Sequence, residues 1–106
     1  MGELILHKDG AYQIYTTIAD GPYFNKALTR EQLEKYIRSQ HGESGIESLP
    51  SRLVRAHKTG TSHVLGTTLA QCLATNRAGD NESRLSYEEF VSRYLTLDDP
   101  TMKGDG

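Results

Sequence analysis

Tryptophan is absent from this 106-residue chain, cysteine occurs once and proline three times. A single thiol, Cys72, excludes an internal disulfide and a four-cysteine zinc site. It fits a reducing compartment, so the cytoplasm is the expected location. No stretch approaches the roughly 18 consecutive apolar residues that suggest a membrane-spanning helix. Residues 1–6 are too few for the apolar core of a secretory leader, and Glu3 interrupts them. A net charge of −2 lacks the broad positive field that marks nucleic-acid binders. One internal stretch, 59–76, contains no Asp, Glu, Lys or Arg at all.

What is present reads as one α+β domain. With 36% hydrophobic and 25% charged residues the composition is that of a globular protein. A domain of this size buries roughly two-thirds of its unfolded surface, enough for one modest core. A single domain over 1–100 is expected, followed by a disordered tail over 101–106.

The chain opens with two β-rich runs, 3–8 and 11–18, joined by Asp9-Gly10. Asp-Gly between such runs predicts a two-residue hairpin turn, because both positions need φ > 0. That turn pairs Lys8 with Ala11, His7 with Tyr12 and Ile5 with Ile14. One face then carries Ile5, His7, Tyr12, Ile14 and Ile18; the other carries Leu4, Leu6, Gln13 and Tyr15. Both are partly apolar, so the second face needs cover from a helix or a partner. Asp20-Gly21-Pro22 leads toward a short third strand over 23–26, at an edge that tolerates proline.

About four helices follow. Thr29 and Gln32 form a capping box for a first helix over 30–41, with Leu33, Tyr36 and Ile37 on its inner face. Gly42 stops it. Ser48 caps a second helix with Pro50 in its first turn; Leu49, Leu53 and Ala56 face inward and Arg52, Arg55 and Lys58 outward. Thr61-Ser62 caps a third helix over 63–76, whose stripe is Leu65, Leu69, Cys72 and Leu73. Its Gly66, Ala70 and Ala74 recur at four-residue spacing and would let another helix approach closely. This helix is expected to be the most buried, or part of an interface. Ser86 and Glu89 form another capping box, and Phe90, Val91 and Tyr94 make the last helix amphipathic.

No intact catalytic or cofactor motif is found. Lys58-Thr59-Gly60 resembles an element of penicillin-binding enzymes and β-lactamases. The accompanying Ser-x-x-Lys is missing, so a helix end is the better explanation. The run from Leu85 to Phe90 resembles the second half of an EF-hand calcium loop. That resemblance implies Asp80, Glu82 and Glu89 as cation ligands, but Ala78 replaces the first ligand and Ser83 the turn glycine. Cys72 lies on an apolar stripe, as an unreactive thiol does. Arg52, Arg55, His57, Lys58, Thr61, Ser62 and His63 gather around the turn at Gly60, where a helix N-terminus and cations suit an anion or an acidic partner. Nucleic acid is not expected there, because the third helix carries no cation.

These features point to a small non-enzymatic protein-binding module of inhibitor, immunity, anti-defence or subunit type. Leu4, Leu6, Tyr15, Gly66, Ala70 and Ala74 are its candidate interface, facing another protein or a second copy. An anion-binding domain around Gly60 is the first alternative, and a weak divalent-cation module the second. No cofactor and no membrane is called for.

Overall fold

The computed structural model describes residues 3–63, 65–79, 81 and 83–97. Among these residues three strands and three helices follow in the order β1 (Glu3–Lys8), β2 (Ala11–Thr16), β3 (Gly21–Pro22), α1 (Arg30–Thr59), α2 (Leu69–Leu73) and α3 (Tyr87–Tyr94). The strands form one antiparallel sheet in the order β1-β2-β3. Among the described residues no helix is long and apolar enough to cross a membrane.

The hairpin has the expected register, with Lys8 opposite Ala11 and Ile5 opposite Ile14. Asp9 (φ 50°) and Gly10 (φ 83°) both occupy the left-handed region, which matches the turn's twist to that of the strands. β2 ends at Thr16, two residues early, so Ile18 lies in a turn at 90% exposure rather than on the core face. The third strand is two residues long and precedes the expected 23–26. Gln13 explains this: its side-chain oxygen accepts from Phe24 N and its amide donates to Phe24 O and Lys26 O, in place of a ladder.

Neither face of the sheet is left open. On one, Ile5, Tyr12 and Ile14 pack against Leu33, Ile37, Leu49, Leu53 and Ala56 of α1. On the other, Leu6, Ala11 and Tyr15 pack against Leu69, Leu73, Leu85, Phe90 and Leu95. Each fully buried side chain of this size contributes roughly 1.5–3 kcal/mol. The outer edge of β1 is also closed: His7 N donates to Gly60 O and Ser62 N to Ile5 O, while Ser62 Oγ accepts from Ile5 N.

The first two expected helices are the two arms of α1. Gly42 bends the helix between them, at φ 65° and ψ −152°, where a side chain would be strained. The arms then wrap so tightly that a Cβ on Gly45 would collide with His41 Cβ. The second arm starts right after the bend rather than at Ser48, so Pro50 lies inside it, on the exposed side. Ser48 Oγ donates back to Gly45 O (3.1 Å) instead of capping.

The expected third helix over 63–76 is corrected to the five residues of α2. Thr61 and Ser62 are used in pairing with β1, and Gly66 at φ 78° cannot continue a helix. The helix starts only after Thr68, whose hydroxyl accepts from Gln71 N in a capping box. Leu65 is 84% exposed, and Ala70 and Ala74 face solvent, so the segment is not the most buried element; Gly66 lies outside α2, so the three small residues are not one helical row. The expected tail over 101–106 lies outside the described residues.

Candidate functional site

Beside the bend in α1 lies a solvent-open hollow of about 920 Å³. Its helical wall is built from His41, at the end of the first arm, and from Gly45, Ser48, Arg52 and Arg55, which recur at three- and four-residue spacing and so share one face of the second arm. The opposite wall is the start of β1 (Glu3, Leu4) and the turn after β2 (Thr16, Thr17, Ile18), with Tyr23 at its rim. Ser62 and His63 close one end.

The acid in this hollow is tied down. Glu3 Oε2 accepts from Tyr36 Oη at 2.9 Å, and Glu3 Oε1 lies 3.9 Å from His41 Nε2. Burial, reinforced by that bond and by the Glu3 charge, holds the Tyr36 phenol well above its usual range, so it stays a donor. The cations are less settled. Arg55 Nε donates to Ser62 O (2.8 Å), which fixes the guanidinium with its terminal nitrogens left over. Arg52 is half-buried, and no protein group accepts a hydrogen bond from it among the described residues. Burial lowers its pKa; the charge of Glu3 opposes this and that of Arg55 adds to it. A guanidinium held partly out of water beside a like charge favours an anion as neighbour.

The rim is apolar and rigid. Tyr23 is 55% exposed, yet its ring is wedged against Phe24 (4.9 Å, edge-on) and Tyr36 (5.6 Å). An exposed aromatic whose orientation is already fixed loses little freedom on binding. Ile18, almost wholly exposed, also lines the hollow.

The residues singled out around Gly60 divide. Arg52, Arg55, Ser62 and His63 line the hollow. His57 does not: its ring stacks on His7 (4.0 Å) and its Nε2 pairs with Tyr12 Oη (2.8 Å), toward the turn end of the hairpin. Lys58 is exposed on α1, and Thr61 is fully buried with its hydroxyl donating to Thr67 O (2.6 Å). Gly60 ends α1 in the left-handed conformation, with its N–H donating to Ala56 O, so Lys58-Thr59-Gly60 is a helix terminus. The helix N-terminus expected at His63 to receive an anion lies instead at Leu69.

Of the candidate interface, Leu6 is wholly buried and Tyr15 is 2% exposed under α2 and α3; Leu4 is half-buried and lines the hollow. Glu89 Oε1 accepts from Ser86 N in the capping box of α3, while Asp80 and Glu82 lie outside the described residues. No group of three or more potential metal ligands occurs among the described residues. Cys72 is half-buried, and burial, with Asp20, pushes its thiol up to about 11, away from the reactive thiolate.

Glu3, Ile18, Tyr23, His41 and Ser48 were not singled out from the sequence. The spacing of residues 45, 48, 52 and 55 is a readable signal for one helical face. Its meeting with the turn at 16–23 depends on tertiary packing. Protein-family models, curated proteins and solved structures were compared with the chain, and none matches it.

Proposed function

We propose that this chain is a small non-enzymatic protein-binding module that takes its partner in the hollow between the bend of α1 and the turn after β2. The observation that carries this reading is the pairing of two exposed, large apolar side chains, Ile18 and Tyr23, with a concave wall of half-buried cations. Interfaces are enriched in tyrosine and arginine in this way, and their strongest contacts cluster where an anchor meets a desolvated pocket. The hairpin face first expected to bind has its apolar side chains engaged within the chain, so the interface moves to its end.

Photo-crosslinking tests this. A benzoylphenylalanine placed at position 18 should trap one protein in lysate of the source cells. The same probe at Val54, an exposed apolar position on α1 outside the hollow's lining, should not. Equal labelling from both positions, or none from position 18, would refute the reading.

A second reading has its own observation. Among the described residues no group accepts a hydrogen bond from Arg52, which also suits a small free anion such as phosphate. It predicts a phosphate-dependent rise in Tm that Arg52→Gln abolishes.

A further inference from the structure

We infer that the hollow recognises an acidic segment of a partner protein, seating one carboxylate against Arg52 and Arg55 and an adjacent large apolar side chain against Ile18 and Tyr23. This rests on the protein-binding reading above and adds the chemistry of the partner.

Charge complementarity is the first argument. Among the described residues the hollow's wall holds two guanidiniums and two histidines against one carboxylate, Glu3. Glu3 is committed to Tyr36 and faces His41, so it does not satisfy Arg52 by a hydrogen bond. Arg52 and Arg55 are one turn apart on the same helix face, and Arg55 is oriented by its bond to Ser62 O. A carboxylate accepts in-plane hydrogen bonds from guanidinium forks, and it returns to Arg52 the solvation that burial removed.

The surroundings of the cations argue for a peptide rather than a bare anion. Ile18 and Tyr23, both exposed, line the hollow together with the arginines. An inorganic ion would leave these side chains in water. A peptide covers them with its neighbouring residue and gains apolar burial as well as charge pairing. The ring contacts that hold Tyr23 are already made in the free chain.

The test is selection of displayed random peptides on the whole chain, followed by fluorescence anisotropy with the best binder. Enriched peptides should carry Asp or Glu within two residues of a large aliphatic or aromatic side chain. Arg52→Gln should weaken the labelled peptide roughly thirtyfold or more, as loss of a desolvated charge pair does. Changing the acidic residue of the peptide to its amide should weaken it comparably, a control that leaves the protein untouched. Val54→Asp should leave binding unchanged. Arg52→Gln should melt no earlier than the parent, because it removes a charge with no hydrogen-bonded acceptor. Enriched peptides without an acidic residue, bound equally by parent and Arg52→Gln but lost on Ile18→Asp, would overturn the carboxylate and leave the module standing. No enrichment at all would overturn both. Full displacement by tens of millimolar inorganic phosphate would replace the peptide by a free anion. A dimer in sedimentation that Arg52→Gln dissolves would replace the partner by a second copy.

Discussion

The two faces of the sheet are closed by different means. Against Ile5, Tyr12 and Ile14 lies one long bent helix whose apolar stripe does the work. Against Leu6, Ala11 and Tyr15 lie two short helices and irregular chain. Here backbone groups have few helical or strand partners, and two buried amides replace them. Gln13 Nε2 shares its two N–H groups among Phe24 O, Lys26 O and Tyr94 O, all within hydrogen-bonding distance, and its Oε1 accepts from Ile14 N and Phe24 N. Asn76 Nδ2 donates to Leu73 O and Leu85 O, and its Oδ1 accepts from Ala78 N and Leu85 N. Irregular backbone can be buried only if its polar groups find partners, and a primary amide supplies two donors and an acceptor at one point. The long helix tolerates substitutions that keep its stripe; the other side depends on single polar atoms.

The largest expected effect tests whether both sides belong to one cooperative unit. Phe90 is wholly buried between Tyr15 and Tyr94. Phe90→Ala should cost about 4 kcal/mol in urea unfolding. Amide signals of α1 should be lost in the same transition. If α1 stays folded while α3 melts, the two faces are separate units. Next comes the polar contrast. Gln13→Met keeps volume but strands several backbone groups, at about 3 kcal/mol. Ile14→Val, one residue away on the opposite face, should cost about 1 kcal/mol. Equal costs would erase the distinction between the faces.

On the helix side, Gly45→Ala should cost about 1–2 kcal/mol, because the new methyl meets His41 Cβ and Ile37 Cγ2. A neutral result would mean the bend relaxes freely. The smallest effect is acid sensitivity at the turn end of the hairpin. Burial and the neighbouring His57 hold His7 below 6.5, with Asp9 opposing. The unfolded chain therefore takes up the proton more readily than the folded one. This contribution is complete above pH 6.5 and declines as pH falls through the unfolded value toward the folded one. The urea midpoint should drop over that window in the parent and drop less in His7→Phe.

The helix side was largely legible in the sequence. Asp9-Gly10 sets the hairpin register because both residues adopt positive φ. Thr29 and Gln32 form the capping box that their spacing announces, as do Ser86 and Glu89. Leu33, Ile37, Leu49, Leu53 and Ala56 are all buried as their periodicity requires. The other side was legible only in α3, with its Ser86 cap and buried Phe90, because an isolated Gln or Asn carries no periodic signal. Leu65, Leu69 and Leu73 at four-residue spacing imitate a helix, but Gly66 and the pairing of Thr61 and Ser62 with β1 override it. Thr68 and Gln71, the same signature as the other two caps, mark the real start. Of the hollow, Arg52, Arg55, Ser62 and His63 were visible as a cluster, while Ile18 and Tyr23 reach it only through the fold.

Native-state amide hydrogen exchange tests most directly that the chain closes both faces of its own sheet and leaves the hollow for a partner. Phe24 and Leu85, whose N–H groups donate to Gln13 and Asn76, should be protected about as strongly as the amides of β1 and β2. Exchange of Phe24 and Leu85 at unprotected rates, with the strand amides still protected, would contradict it. The face bearing Leu6 and Tyr15 would then be open to a partner, and the hollow would lose its place as the binding surface.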